Sequence, residues 1–211
     1  GGGQDTIFES ESQFTSGGND TLRFGLGIAV EGLFFSKSTS DFDDLRIRIA
    51  GSTDSILIRD QDDNYQSRFY NRVENFVFQS EGPSGSITQT TLNWSDIEAI
   101  RIAQSISAGN DIVIGSVSAN IIDGGGGNDR IYGWSGNDVL TGSTGIDFLS
   151  GGSGSDTYIF NLGDGQDVIF EGESDTASST GTETLRFGLG ISLENLIFSK
   201  NNQNWNDLRI S

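Results

Sequence analysis

The stretch ISAGNDIVIGSVSANIIDGGGGNDRIYGWSGNDVLTGSTGIDFLSGGSGSDTYI, residues 106–159, consists of six consecutive nine-residue units. The sixth residue of a unit is an aspartate in five units and an asparagine in the second, and the eighth residue is always apolar or aromatic. The sixth positions are Asp111, Asn120, Asp129, Asp138, Asp147 and Asp156, and the eighth positions are Val113, Ile122, Ile131, Leu140, Leu149 and Tyr158.

This nine-residue period predicts a coil of short parallel strands. Three residues centred on position eight form a strand with one inward side chain, and the glycine-rich residues before it form a tight turn that tolerates positive φ. If two units complete one coil, alternate units turn on opposite edges. One edge then carries Asp111, Asp129 and Asp147, and the other carries Asn120, Asp138 and Asp156.

Stacked carboxylates on these edges call for a cation. Neighbouring strands lie about 4.8 Å apart, so successive carboxylates on one edge repel each other unless a positive ion lies between them. Carboxylate and carbonyl oxygens, without nitrogen or sulfur ligands, favour Ca²⁺ over Mg²⁺. Because glycine-rich turns lose much backbone entropy and each unit buries one apolar side chain, we expect the coil to form only with its ions.

The composition excludes several classes of function. The 211 residues include 30 Asp plus Glu but only 12 Lys plus Arg, giving a net charge of -18, and they contain no His or Cys. A Ser-His-Asp triad, a Cys-His dyad, a disulfide and an ordinary zinc site are therefore absent, which leaves carboxylates as the one open route to catalysis. A polyanion is repelled by nucleic acid and by anionic lipid. Without a run of 18 apolar residues, we expect no membrane insertion by this segment.

A much longer repeat relates the two ends of the chain. Gly3–Glu9 returns as Gly165–Glu171, an offset of 162 residues, and Thr21–Ile28 returns as Thr184–Ile191, an offset of 163. Later segments continue in step, with LFFSK at 33–37 matching LIFSK at 196–200 and DLRI at 44–47 matching DLRI at 207–210. We expect the chain to be slightly more than one unit of a tandem array that begins and ends inside units.

The short repeats resemble those of a known family. The unit Gly-Gly-x-Gly-x-Asp-x-apolar-x, complete in Gly124–Tyr132 and Gly151–Ile159, resembles the calcium-binding repeats of RTX (repeats-in-toxin), haemolysin-type exoproteins. Tyr158–Glu171 resembles the segment that closes a block of such repeats. Thr21 to Ile100 resembles the haemolysin-type calcium-binding-related module that separates blocks.

The resemblance implies an all-β fold, in which a parallel β-roll is joined to a flanking antiparallel β-rich module. We expect a preceding block's tail at 1–19, the flanking module at 20–100, the roll at 101–171 and the truncated start of a second module at 172–211. Module strands are predicted near residues 22–24, 33–35, 45–49, 56–58, 73–78 and 87–92. Residues 95–100 are predicted to form at most a short helix, capped by Asn93 or Ser95.

The resemblance also implies about five bound Ca²⁺ ions, each held between turns two units apart. The implied pairs are Asp111 with Asp129, Asp129 with Asp147, Asp147 with Asp167, Asn120 with Asp138, and Asp138 with Asp156. The implied backbone carbonyl ligands are Gly109, Gly124, Gly125, Gly126, Gly127, Gly133, Trp134, Ser135, Gly136, Gly142, Ser143, Thr144, Gly145, Gly151, Gly152, Ser153 and Gly154. Ile106 and Ser107 replace two family glycines, and Ser118 and Asn120 replace a glycine and an aspartate. The site at Asn120 is therefore expected to be the weakest or empty.

Three functional hypotheses follow from these features. The first is a non-enzymatic, calcium-binding scaffold of a secreted RTX protein, which stays unfolded during type I secretion and folds on Ca²⁺ outside the cell. Its partners would be calcium and neighbouring repeat units of the same chain. The second is a cell-surface adhesin or carbohydrate-binding array that uses Trp134 or the flanking module. The third is a non-catalytic part of a larger toxin or exoenzyme.

A second candidate calcium loop occurs at residues 60–71. Asp60, Asp62 and Asn64 occupy the first three ligand positions of an EF-hand. However, Tyr65 replaces the glycine and Asn71 replaces the glutamate of that motif, so a solvated acidic loop is the better interpretation.

Overall fold

The computed structural model describes residues 4–8, 20–37, 44–59, 73–171, 181–200 and 208–210. The chain divides into two compact units, Gly1–Ser105 and Ile106–Ser211. The described residues are mainly β-structure, with one α-helix and two short 3₁₀ helices, Val30–Gly32 and Leu193–Asn195. These same ranges contain no helix with the length and hydrophobicity of a membrane span.

The first unit contains two sheets and the α-helix. Its elements are β1 (Gln4–Phe8), β2 (Asp20–Arg23), β3 (Leu33–Lys37), β4 (Leu45–Ile49), β5 (Ser55–Arg59), β6 (Val73–Glu81), β7 (Ile87–Asn93) and α1 (Trp94–Gln104). One sheet has the order β1-β5-β4-β3 and the other β2-β6-β7. Each of the predicted module strands is present.

The predicted antiparallel arrangement of this module is only partly correct. β3, β4 and β5 pair antiparallel, as do β6 and β7, but β2 pairs parallel with β6 and β1 pairs parallel with β5. A parallel pair needs a long crossover between its strands. β3, β4 and β5 lie between β2 and β6 in the sequence and so provide that crossover.

The helix α1 is longer than the predicted 95–100. It begins with a capping box, in which the Asn93 side chain accepts from the Asp96 amide and Asp96 accepts from the Asn93 amide. It continues to Gln104 because its far half packs into the unit. Ile102 is buried, Arg101 forms a buried ion pair with Glu98 at 2.8 Å, and Gln104 hydrogen-bonds to the β3 backbone. The two Gln104 hydrogen bonds join residues 69 and 71 positions apart in the sequence, so local propensity does not reveal them.

The core of the first unit is formed by side chains from the strands of both sheets, from the segments that adjoin them and from α1. Its buried apolar side chains are Phe24, Leu33, Phe35, Leu45, Ile47, Ile58, Val73, Phe76, Phe78 and Ile97.

The second unit contains two parallel sheets between which consecutive strands alternate. Its strands are β8 (Ile112–Ser116), β9 (Ile121–Asp123), β10 (Arg130–Ser135), β11 (Val139–Thr141), β12 (Phe148–Ser153), β13 (Thr157–Phe160), β14 (Val168–Ile169), β15 (Thr184–Phe187), β16 (Phe198–Lys200) and β17 (Leu208–Ile210). One sheet has the order β14-β12-β10-β8 and the other β15-β13-β11-β9. In most of the parallel strand pairs, paired residues are 18 positions apart in the sequence, as in Ile131 with Leu149. One coil therefore takes two nine-residue units. β16 and β17 form a separate antiparallel pair. We call β8–β15, together with the described residues that connect them, the two-sheet coil.

Inward and outward positions of the coil are as the period predicts. The eighth-position side chains are at most 2% exposed. At position seven, Ile112 is 64% exposed and Ile121 is 84% exposed. Phe148, also at position seven, packs between Tyr132 and Phe170, with ring centroids 5.9 and 5.8 Å away. The outer face is thus partly covered by an aromatic row of its own.

The last strand of the coil comes from a segment that the sequence assigned to the second flanking module. β15 pairs parallel with β13, with Thr157 opposite Thr184 and Phe160 opposite Phe187. The residues before it, Gly181-Thr182-Glu183, stack on Gly154-Ser155-Asp156, where a Cβ on Gly181 would overlap the Gly154 carbonyl. Gly181, Glu183 and Leu185 therefore occupy positions four, six and eight of a further, degenerate unit.

Candidate metal centre

The sixth-position carboxylates form two hydrogen-bonded ladders along the edges of the coil. In each rung, a backbone amide donates to the Oδ1 atom of the acidic residue one coil further on. The first ladder runs from Asp111 to Asp129 (2.9 Å), Asp129 to Asp147 (2.7 Å) and Asp147 to Asp167 (3.1 Å). The second runs from Asn120 to Asp138 (2.7 Å) and Asp138 to Asp156 (2.8 Å). All five pairs named from the sequence are thus brought together.

Four of these carboxylates have one oxygen without a donor. Asp129, Asp138 and Asp147 are each 1% exposed and Asp156 is 0% exposed. Among the described residues, the Oδ2 atom of each of the four is buried and has no hydrogen-bond partner. A buried carboxylate oxygen without a partner is costly, since it has given up its hydration for nothing in return.

The protonation equilibria reflect this cost. Burial raises the pKa of Asp138 from 3.8 to about 7, against the lowering effect of the Asn120 amide and together with repulsion from Asp156. Burial likewise raises the pKa of Asp167 to about 6. The pKa values of Asp129, Asp147 and Asp156 are raised as well, again chiefly by burial. Without a cation, these carboxyl groups therefore take up protons at a higher pH than a free aspartate does.

The turns beside the ladders require glycine at their fourth position. Gly145 has φ 154° and Gly154 has φ 139°. A Cβ at either residue would overlap a carbonyl oxygen of the coil before, that of Gly127 or Gly136 respectively. Successive turns consequently stack with their backbones in direct contact, and hydrogen bonds join Thr144 to Gly125 and Gly127 to Thr144, each at 3.0 Å.

The implied carbonyl ligands all lie in these turns or at the strand ends that lead into them. Gly109, Gly124–Gly127 and Gly142–Gly145 lie in turns, Gly133–Ser135 and Gly151–Ser153 end β10 and β12, and Gly136 and Gly154 follow them. Whether their carbonyls ligate an ion stays a prediction.

The first coil differs from the later ones at its acidic positions. Both oxygens of Asp111 accept from Ser107, one from its amide and one from its hydroxyl. Asn120 accepts from the Ser116 amide at 2.7 Å and donates to its hydroxyl at 3.1 Å. Serine thus satisfies here the atoms that are left without donors further along. The weakness of the site at Asn120 stays a prediction.

Two residues of this region were missed from the sequence. The Asp156 amide donates to Oε2 of Glu183 at 2.7 Å, so Glu183 continues the second ladder. The Tyr158 hydroxyl donates to Glu171 and accepts from the Gly151 amide at 2.6 Å. Burial raises the pKa of the Tyr158 phenol, which keeps it protonated as a donor. The spacing Gly181-x-Glu183-x-Leu185 is the signal for Glu183, but no comparable pattern marks Glu171.

Two other candidates stand apart from the ladders. The EF-hand-like stretch at Asp60, Asp62 and Asn64 lies outside the described residues. Trp134 is 38% exposed and has φ 83°, a left-handed conformation that is uncommon for a bulky residue. Its stacking on a carbohydrate stays a prediction.

Two family models match parts of this sequence, and one of them covers the segment that carries the ladders. The RTX calcium-binding nonapeptide repeat family (4 copies) matches residues 106–140 and 135–169. The haemolysin-type calcium binding protein related domain matches residues 44–80. No curated protein matches the sequence.

One similar solved structure is the solution structure of the AlgE6R3 subunit from the Azotobacter vinelandii mannuronan C5-epimerase. It shares 30% sequence identity over 46% of this chain, with a TM-score of 0.33. The chain covers 60% of the length of that subunit.

Proposed function

We propose that this chain, whose residues 106–140 and 135–169 match the RTX calcium-binding nonapeptide repeat family, uses its two-sheet coil as a parallel β-roll that folds on Ca²⁺ outside the cell. The observation that carries the proposal is the set of buried carboxylate oxygens without donors on Asp129, Asp138, Asp147 and Asp156. In this role the roll is a non-catalytic folding and secretion scaffold.

The donor set of the ladders fits calcium. The turns offer carboxylate and backbone carbonyl oxygens, and the chain has no His or Cys to attract a softer metal. Asp129, Asp147 and Asp167 would hold ions on one edge, and Asp138 and Asp156 on the other, with carbonyls of the adjoining turns. When bound, Ca²⁺ supplies the positive charge that the oxygens without donors lack.

The same ladders explain why folding would depend on calcium. Closing the coil without ions buries carboxylates whose charged forms are unfavourable there, as the raised pKa of Asp138 indicates. Extracellular calcium modules bind with Kd values of about 10⁻⁴ to 10⁻³ M, so one site contributes little at cytosolic concentrations. Several linked sites add their binding free energies by mass action outside the cell, which favours the folded roll there. Extracellular localisation and type I secretion belong to this proposal.

Circular dichroism with EGTA and with millimolar CaCl₂ tests the proposal. We expect the chain to gain β-structure on adding calcium, and Asp138→Asn to require at least about tenfold more calcium because it removes a charged ligand from two rungs. Glu194→Gln is the matched control, since it removes one exposed carboxylate from the same unit and should leave the calcium midpoint unchanged. Equal β content in EGTA and in CaCl₂ would refute calcium-dependent folding.

A further inference from the structure

Three acidic side chains converge where the two-sheet coil ends. Asp156 precedes β13, Glu183 precedes β15 and Glu171 follows β14. One carboxylate oxygen from each lies within 4.8 Å of the others. The three residues thus approach from three strands, two of one sheet and one of the other.

Two residues of this cluster, Asp156 and Glu183, each have one carboxylate oxygen without a hydrogen-bond partner among the described residues. Asp156 is 0% exposed, and its Oδ1 accepts from the Asp138 amide while its Oδ2 is buried without a partner. Glu183 follows the same division, because Oε2 accepts from the Asp156 amide and Oε1 is buried without a partner in the described part of the chain. In each of the two residues, one carboxylate oxygen therefore accepts the ladder hydrogen bond and the other is available to a ligand.

Glu171 distinguishes this cluster from the turn-to-turn pairs. It belongs to neither ladder, and it is positioned by the hydroxyl of Tyr158. Tyr158 occupies the eighth position, where the other five units have an aliphatic side chain. That hydroxyl is itself fixed by the Gly151 amide at 2.6 Å. The last unit thus carries a polar group that holds a third carboxylate beside Asp156 and Glu183.

Acidic residues recur at both added positions in the long repeat. Asp20 stands 163 residues before Glu183 and Glu9 stands 162 residues before Glu171, in step with their neighbouring segments. The two positions therefore keep a carboxylate in both copies of the segment, even where aspartate and glutamate interchange.

We infer that Asp156, Glu171 and Glu183 bind one further divalent cation, Ca²⁺ by the chemistry of the three carboxylates, which closes the end of the roll. The inference rests on the proposed function, because these residues meet only when the coil is folded. Such an ion would tie residues on both sides of 172–180 to the last complete coil. The pairing of β15 with β13 would then depend on calcium at this end.

The test is the number of calcium ions bound by Glu171→Gln, measured by native mass spectrometry and calorimetric titration with CaCl₂. No ladder hydrogen bond involves Glu171 among the described residues, so the variant should keep the calcium-induced circular dichroism of the wild type. We expect it to bind one ion fewer, or to bind one ion at least about tenfold more weakly. Glu194→Gln, with the same charge change, should match the wild type in both measurements.

A second readout covers the case in which Glu171→Gln does not fold. Tb³⁺ bound beside Tyr158 should be excited through its phenol, and Glu183→Gln should lower that tyrosine-excited emission while Glu194→Gln leaves it unchanged. A folded Glu171→Gln variant with the wild-type number and affinity of ions would overturn the inference, as would undiminished emission from Glu183→Gln. A wild-type chain that binds no calcium at all would instead overturn the proposed function.

Discussion

β2 and β15 have almost the same sequence but pair with different partners. Residues 20–28 read DTLRFGLGI and residues 183–191 read ETLRFGLGI. β2 lies in the first unit's sheet, parallel to β6, whereas β15 extends the two-sheet coil, parallel to β13. Local sequence therefore specifies the strand but not its neighbour.

The hydrogen bonds show that the two pairings use opposite edges of the strand. Directly after β2, the Phe24 amide donates to the Val77 carbonyl of β6 at 2.9 Å. At the two ends of β15, the amides of Thr184 and Gly188 donate to the carbonyls of Asp156 and Phe160, each at 2.8 Å. Phe187, the counterpart of Phe24, directly precedes Gly188, so its amide points to the opposite edge from that of Gly188. Because amides of successive residues point to opposite edges, one pairing does not block the other. The same strand type is thus suited both to end a roll and to begin a flanking module.

The side chains differ along with the pairing. Phe24 is 4% exposed and stacks on Phe78, with centroids 4.7 Å apart and an interplanar angle of 2°. Phe187 is half-buried and meets Phe160 edge-on at 6.4 Å. β2 is therefore held by an apolar core, whereas β15 is held mainly by its backbone and by the acidic rung at Glu183.

Removal of calcium should produce the largest difference between β2 and β15. With EGTA, we expect the amides of Thr184 and Gly188 to lose at least about a hundredfold of their protection against hydrogen exchange, because the ladder beneath β15 opens. The Phe24 amide should keep its protection, since its unit has an apolar core. Exchange followed by NMR with and without CaCl₂ measures both, and equal losses at the two strands would contradict the distinction drawn between them.

Truncation of the two equivalent phenylalanines should produce a smaller difference between β2 and β15 than calcium removal does. Phe24→Ala removes a buried ring and should cost the first unit about 3–5 kcal/mol in free energy of unfolding. Phe187→Ala removes its half-buried counterpart and should cost the second unit less than half as much. Urea denaturation in CaCl₂, followed separately for each unit, measures both, and a greater cost at Phe187 would show that β15 is part of a larger apolar core.

Much of the coil follows directly from the sequence because its geometry repeats. A fixed period of nine places the side chain at position eight of each unit inside the coil and the side chain at position six on an edge. The burial of Ile131 and the pairing of Asp129 with Asp147 therefore follow without knowledge of the rest of the chain. The strands of the first unit were predictable for a similar reason, because alternating apolar residues such as those in Leu45–Ile49 mark one buried face.

The features that escaped prediction depend on contacts between distant residues. The ladder rung from Asp156 to Glu183 spans 27 residues rather than 18, and a glutamate replaces the expected aspartate. Glu171 is placed by the hydroxyl of Tyr158, whose position in the repeat signals only an inward side chain. The parallel pairing of β2 with β6 depends on the intervening strands, which no local pattern records.

Acidification should change the free energy of unfolding of the second unit less than calcium removal or truncation does. The pKa of Asp138 is about 7 in the folded coil and 3.8 when unperturbed, so the folded state binds more protons between these values. Without calcium, the free energy of unfolding of the second unit should therefore fall as pH rises from about 4 to 7, and rise on acidification. This gain should be smaller than that from calcium, because protons neutralise the carboxylates but leave the turn carbonyls without a ligand.

With calcium bound, the sign of the pH effect reverses. The ligands must be deprotonated to hold the ion, so protons compete with Ca²⁺ and the stability of the second unit should fall as pH falls through about 7. The pH curves measured in EGTA and in CaCl₂ should therefore converge toward acid pH for β15, whereas the exchange protection of β2 should stay independent of calcium throughout. If the second unit in EGTA became less stable on acidification from pH 7, its buried carboxylates would be charged and satisfied without an ion, and the ladders would need no calcium.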